Sequence, residues 1–107
     1  MYKNIEKKKV LELKEMVEYQ EGQVVSKTLV QNELVSVKIF SFDKGEEIST
    51  HASGGDAMVT VLDGKGKFTI GGDIYFLEEG QSIIMPKDIP RSVYGEEKFK
   101  MLLVVSF

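Results

Sequence analysis

Residues 45–64, GEEISTHASGGDAMVTVLDG, decide the fold of this chain. A glycine opens the stretch, a histidine follows after five residues, and a second glycine closes it. Near its end Ala57, Val59 and Val61 recur at every second position, which indicates a strand with one buried face. The same period of two places the side chains of His51 and Ser53 on one face of their strand. The stretch therefore predicts β-structure in which His51 and Ser53 point to the same side of a strand.

This spacing resembles the first motif of the cupin family, G-x5-H-x-H-x3-4-E-x6-G. Aligned on the two end glycines, the motif puts its first histidine at His51 and its second at Ser53. The glutamate of the motif falls on Ala57, with Asp56 as its acidic neighbour. The glycine framework is kept, but of the three motif ligands only the first histidine is present.

A second cupin motif, G-x5-P-x-G-x2-H-x3-N, begins at Gly80 and reaches Pro86 after five residues. Its glycine falls on Asp88, its histidine on Arg91 and its asparagine on Gly95. The resemblance covers residues 34–107, with three of the four metal-ligand positions altered. It implies an all-β chain with a cupin-type β-barrel, also described as a double-stranded β-helix or jelly roll.

The pattern along the chain agrees with one domain over residues 1–107, divided into an N-terminal segment at 1–22 and a barrel at 23–107. Residues 10–17 suit a short helix or an irregular segment, because their apolar period is ambiguous. A Gly71-Gly72 pair predicts a tight hairpin, because both central residues of such turns often need positive φ. Short runs between turn residues predict strands at 23–30, 34–42, 67–70, 75–77, 82–85 and 91–94, with a turn at 63–66.

Two segments carry expectations about packing. In the strand at 34–42, Val35, Val37 and Ile39 alternate with Ser36 and Lys38, which indicates one buried face. The last segment, residues 99–107, is apolar on both faces and should lie between two layers. Its second face would pack against the N-terminal segment or against a partner subunit. We expect a homodimer, because two-fold pairs dominate soluble oligomers.

Composition excludes several classes of function. The 107 residues are 42% apolar, which suits one compact core. The net charge is −3 and the charges are interspersed, so nucleic-acid binding is not expected. There are no cysteines, which excludes disulfides, thiolate metal sites and cysteine nucleophiles. No apolar run approaches the roughly 20 residues of a membrane span, and no signal peptide precedes the fold, so we expect no membrane partner and a cytoplasmic location.

If the chain folds as the resemblance implies, His51, Ser53, Ala57 and Arg91 line one cavity. A divalent metal needs about three protein ligands, and His51 is a weak candidate that cannot hold one alone. Arg91 disfavours a cation because its guanidinium stays protonated. The same group favours an anion such as a carboxylate, phosphate or enolate. Asp56 would either reach this pocket as a displaced acidic group or belong to a turn, since glycine followed by aspartate is ordinary turn chemistry.

Three functions stay open at this point. The first is a metal-independent cupin that binds a small anionic or polar ligand, with a sensory or scavenging role. The second is a small enzyme of the isomerase, decarboxylase or dioxygenase type, with His51 as general base and Arg91 stabilising an enolate. The third is a structural dimerisation module. Each key residue also has a plainer interpretation: His51 as a polar side chain held locally, and Arg91 as a surface residue paired with Asp88, Glu96 or Glu97.

Overall fold

The computed structural model describes the backbone of residues 1–107 and every side chain except that of His51. Almost all of the regular structure is β, as the sequence predicts. One 3-10 turn at Leu13–Glu15 precedes the strands. No helix in the described residues is long and apolar enough to cross a membrane. The strands are β1 Val24–Gln31, β2 Val35–Phe42, β3 Glu47–His51, β4 Asp56–Ile70, β5 Asp73–Glu78, β6 Ser82–Met85 and β7 Arg91–Ser106.

The two long strands, β4 and β7, form the frame of the barrel. They pair antiparallel from Asp56 opposite Ser106 to Ile70 opposite Arg91. The sheet order is β1-β2-β7-β4-β5, with β3 joined to β7 and β6 joined to β4. The first layer therefore holds β1, β2, β6, the first half of β4 and the second half of β7. The second layer holds β3, β5 and the remaining halves of β4 and β7.

Two predicted strand boundaries are wrong. The expected turn at residues 63–66 lies inside β4, and the separate strands expected at 91–94 and 99–107 are one strand, β7. The reason is that β4 and β7 change register twice, between Val61 and Asp63 and between Gly64 and Gly66. Such bulges let a strand bend without losing its partner. Glycine and aspartate therefore mark a bend here and not a chain reversal.

A cluster of phenylalanines fills one end of the barrel. Phe42 of β2 stacks on Phe99 of β7, with ring centroids 4.5 Å apart and an interplanar angle of 16°. Phe68 of β4 meets Phe99 edge-on at 6.0 Å and 77°. All three side chains are fully buried. This cluster joins both layers, since β2 belongs to the first and Phe68 lies in the half of β4 that belongs to the second.

The N-terminal segment covers part of the outer face of the first layer, over β2 and the neighbouring residues of β4 and β7. Val17, Leu29 and Ile39 form a buried cluster, against which partly buried side chains of the segment and of β4 and β7 pack. Backbone carbonyls of the segment accept hydrogen bonds from Ser41 Oγ and Lys100 Nζ at 2.8 and 2.6 Å. Both faces of β2 are thus enclosed. At Leu102 the second apolar face of β7 packs against the N-terminal segment, one of the two coverings expected. Residues 10–17 are irregular apart from the 3-10 turn.

Tyr19 ties this segment to the barrel. Its hydroxyl donates a 2.6 Å hydrogen bond to the Asp63 carboxylate, and Lys100 Nζ lies 4.8 Å from the centre of its ring. Burial, followed by the hydrogen bond and the charge of Asp63, raises the pKa of the Tyr19 hydroxyl. Tyr19 thus uses its hydroxyl for a hydrogen bond and the face of its ring for a cation–π contact.

The backbone requires glycine in two places, the hairpin at Gly71-Gly72 and the bend at Gly64. Gly71 and Gly72 have φ values of +58° and +97°, which confirms the predicted tight hairpin. Gly64 has φ +73° at the bend of β4, where a Cβ atom would also overlap the carbonyl oxygen of Lys98 on β7. At Gly72 the same added atom would meet nothing within 4 Å.

Gly64→Ala and Gly72→Ala should separate backbone strain from steric overlap. Each variant forces an L-residue into positive φ, at about 1–2 kcal/mol. Gly64→Ala must also displace a backbone carbonyl, and overpacking of that kind adds about 1–3 kcal/mol. Urea unfolding at 25 °C should show the larger loss of unfolding free energy for Gly64→Ala. Equal losses would mean that the close approach of β4 and β7 at this bend has been misjudged.

Candidate functional site

A cavity of about 360 Å³ lies between the two layers of the barrel. The inner faces of β2, β7 and β6 supply most of its wall, and residues 52 and 53 after β3 complete it. Its interior is largely apolar with a few polar side chains, which is the usual composition of a small-molecule site. The lining residues are Gln31, Ser36, Lys38, Phe40, Ile48, Ala52, Ser53, Met85, Arg91, Val93, Met101, Leu103, Val105 and Phe107.

Arg91 is the most unusual residue of this wall. It is the first residue of β7, pairs with Ile70 of β4, and is only 4% exposed. Its Nη1 atom is buried without a hydrogen-bond partner. No ion pair or side-chain hydrogen bond involves its guanidinium within the part of the chain that the structure describes. Burial lowers the pKa of Arg91, but a guanidinium stays protonated at neutral pH. The cavity therefore contains a buried positive charge that no described side chain neutralises.

The rest of the polar lining also favours an anion. Lys38 contributes a second positive charge, and no aspartate or glutamate side chain lines the cavity. Ser36 Oγ donates to Gln31 Oε1 at 3.0 Å, which leaves the amide NH₂ of Gln31 as a donor. Ser53 Oγ accepts a 3.3 Å hydrogen bond from the amide of Gly55, which leaves its hydroxyl proton available. Donors thus outnumber acceptors around the cavity.

The structure brings together two of the predicted site residues, Ser53 and Arg91. Ala57 is fully buried, pairs with Met85, and does not contribute to the cavity wall. The side chain of His51 lies outside the described part of the structure, so its predicted roles as ligand-binding, catalytic or metal-binding residue stay predictions. The surface interpretation of Arg91 is wrong, because burial separates it from the acidic residues proposed as partners.

Asp56 is not among the side chains that line the cavity, and its predicted ligand-binding role stays a prediction. It is exposed, and its Oδ1 accepts a 2.7 Å hydrogen bond from the backbone amide of Lys87. The same loop is held by a 2.9 Å hydrogen bond from the amide of Asp88 to the carbonyl of Ser53. Asp56 therefore begins β4 directly after the bend at Gly54-Gly55, and it fixes the loop that leads into Arg91.

Sequence reasoning missed Lys38, Ser36 and Gln31. The alternation in β2 predicts one buried face, made by the odd-numbered residues. The structure encloses both faces. Odd-numbered residues such as Ile39 lie under the N-terminal segment, and even-numbered ones point into the barrel. Phe40 and Phe42, which share the phase of Lys38, are the residues that could have indicated the second buried face.

The donor set does not fit a divalent metal. The motif positions whose side chains are described hold a hydroxyl, a methyl group and a guanidinium, at Ser53, Ala57 and Arg91. Among the described side chains no three histidine, cysteine, aspartate or glutamate residues come together. A guanidinium cannot act as a metal ligand, and it repels a cation.

Comparison with known proteins agrees with this architecture. The cupin domain family model matches residues 38–106. A conserved protein of unknown function from Streptococcus pyogenes is 48% identical, with 98% of this chain and 92% of that one covered and a TM-score of 0.96. A cupin superfamily protein from Desulfitobacterium hafniense is 28% identical, with 100% and 98% covered and a TM-score of 0.95.

A cupin 2 conserved barrel domain protein from Leptotrichia buccalis is 46% identical over 88% of this chain, with a TM-score of 0.87, and the chain spans 46% of that protein's length. No curated protein matches the chain. The family match covers well over half of the sequence, and the two-layered barrel is the fold that the motifs imply. The chain therefore belongs to the cupin domain family.

Proposed function

We propose that this cupin binds a small anion in the cavity between its two layers, with Arg91 as the main ligand-binding residue and without a tightly bound metal. The observation that carries the proposal is the buried Nη1 of Arg91, which has no hydrogen-bond partner. Buried charges in proteins are normally paired, because an uncompensated one costs several kcal/mol. A bound anion would supply the missing partner.

The chemistry of arginine indicates what kind of anion fits. A guanidinium presents donors in a planar fork that matches a carboxylate or phosphate with two parallel hydrogen bonds. Ser53 lies on the same wall and can add a hydroxyl donor. The cavity volume of about 360 Å³ falls within the roughly 300–1,000 Å³ usual for small-molecule sites. Binding without chemistry suits a sensory or scavenging role. General-base catalysis by His51, a purely structural role and a cytoplasmic location stay predictions of the sequence.

We also propose that the protein is a homodimer. The outer face of the first layer carries an exposed apolar patch where three strands meet. Met58 of β4 is 41% exposed and pairs with Ile84 of β6, which is 55% exposed. Val104 of β7 pairs with Met58 on its other side and is half-buried. The N-terminal cluster buries Ile39 and neighbouring side chains and includes neither Met58 nor Ile84. A second copy related by two-fold symmetry could cover the patch with the same residues.

Arg91→Met should weaken anion binding and raise the stability of the free protein. Methionine keeps an unbranched apolar side chain but removes the guanidinium and its charge, so affinity for carboxylates and phosphate should fall at least about 10-fold. Removal of a buried, unpaired charge should raise the free energy of unfolding by about 1–4 kcal/mol. Calorimetric titration with acetate, butyrate, benzoate and phosphate measures the first effect, and urea unfolding measures the second.

Lys44→Met is the matched control for this experiment, because Lys44 is an exposed cation in the turn between β2 and β3. It should change neither affinity nor stability appreciably. Anions that bind Arg91→Met as tightly as the wild type would refute the proposed function.

Metal analysis tests the absence of a bound cation. Protein incubated with manganese, iron, nickel and zinc, then freed of excess, should retain far less than one equivalent by elemental mass spectrometry. The reason is that the three altered ligand positions leave too few donors for a stable site. The triple variant Ser53→His, Ala57→Glu, Arg91→His restores the motif ligands and should gain metal affinity. Stoichiometric metal in the wild type would show that His51 has partners elsewhere.

Sedimentation velocity at micromolar concentration should give the mass of a dimer. Ile84→Lys places a charge in the apolar patch and should shift the protein to monomer. Ile74→Lys is the control, because Ile74 is also 55% exposed but lies on β5, outside the patch. A monomeric wild type, or equal effects of the two variants, would contradict the proposed interface.

A further inference from the structure

We infer that the ligand is a dianion whose two charged groups are separated by a short apolar spacer, one group bound by Arg91 and the other by Lys38. This inference rests on the proposed anion-binding function of the same cavity. It adds a class of ligand and a second recognition residue, which the motif positions do not include.

The two cations come from opposite walls of the cavity. Lys38 lies in β2 of the first layer, where it pairs with Leu103. Arg91 lies in the second layer, where it pairs with Ile70. Both side chains line the same cavity. Because the inner faces of the two layers face each other across the barrel, the cations approach a ligand from two sides.

Neither cation has a partner within the described structure. Lys38, like Arg91, takes part in no ion pair or side-chain hydrogen bond there. Lys100 provides a contrast on the outer face of the same layer. It is 9% exposed, donates to the carbonyl of Lys14 and lies against the ring of Tyr19. Lys100 is thus satisfied, whereas the half-buried Lys38 and the buried Arg91 line a cavity without carboxylate side chains.

The apolar lining of the same cavity sets the middle of the ligand. Phe40, Met85, Met101 and Val105 are all buried and offer no strong hydrogen-bonding group. A polar group held against this surface would be desolvated without compensation. A single compact anion would leave either the second cation unpaired or this apolar surface unfilled. Two anionic ends joined by methylene groups satisfy both requirements.

Further donors lie beside Lys38. Ser36 precedes it by two residues on the same face of β2, and its hydroxyl is joined to Gln31, whose amide NH₂ can donate. Arg91 has Ser53 in the same wall. The cavity lining therefore combines two cationic side chains with neutral donors, which is a suitable environment for carboxylate or phosphate groups.

Calorimetric titration with malonate, succinate, glutarate and adipate, against monocarboxylates of the same chain length, tests this inference. The best dicarboxylate should bind at least about 10-fold more tightly than its monocarboxylate, because a second charge-assisted contact forms. Lys38→Gln should remove that margin and leave monocarboxylate affinity within about twofold of wild type. Lys38→Arg, which keeps the charge, should preserve the margin. Lys44→Gln removes an exposed charge outside the cavity and should change nothing.

The outcomes separate this inference from the proposed function. If Lys38→Gln leaves dicarboxylate affinity unchanged while Arg91→Met weakens it, the dianion inference is wrong and the anion-binding function stands. Inorganic phosphate that binds as tightly as the best dicarboxylate would also overturn it, since phosphate has no spacer. If no carboxylate or phosphate binds in a manner that depends on Arg91, both proposals are wrong. Circular dichroism and urea unfolding of Lys38→Gln establish that any loss of binding is not a loss of fold.

Discussion

The antiparallel pairing of β4 with β7 is the constraint on which the rest of the structure depends. Every other strand except β1 joins one of these two directly, and β1 joins through β2. Because both strands bend at the same bulges, one ladder supplies walls to both layers. The bend is what places Arg91, at the start of β7, and Val105, near its end, around one cavity. A flat pairing of the same length would put them at opposite ends of a sheet.

The sequence predicts the fold well because the positions of its glycines and prolines reflect backbone geometry, which the members of the family share. It predicts the bends poorly, because the same residue types occur in turns and in bulges. Gly64 has positive φ whether the chain reverses or only bends, so the residue type alone cannot distinguish a turn from a bulge. The decisive information is that residues on both sides of the bend remain paired with β7, and that is a long-range contact.

The candidate site was predictable in part. Alignment with the motifs pointed to Ser53 and Arg91, but only the structure shows that Arg91 is buried and unpartnered. Lys38 escaped detection because a lysine between valine and isoleucine is usually the solvent side of a strand. The N-terminal segment changes that relation by covering the other face, at Ile39. When both faces of a strand are enclosed, the alternation in its sequence does not show which side chains line the cavity. That depends on which part of the chain covers each face.

Asp56 links the altered motif to the placement of Arg91. Its carboxylate accepts from the amide of Lys87, and the carbonyl of Ser53 accepts from the amide of Asp88, so the loop before β7 is tied at two adjacent residues. This loop delivers Arg91 to the inner face of the barrel. Asp56, next to the position where the motif has glutamate, thus helps to place Arg91 by holding the backbone of the loop before β7. A fold that buries an arginine without a partner among the described side chains needs such fixed anchoring, because a mobile loop would let Arg91 turn outward to water, where its charge is solvated.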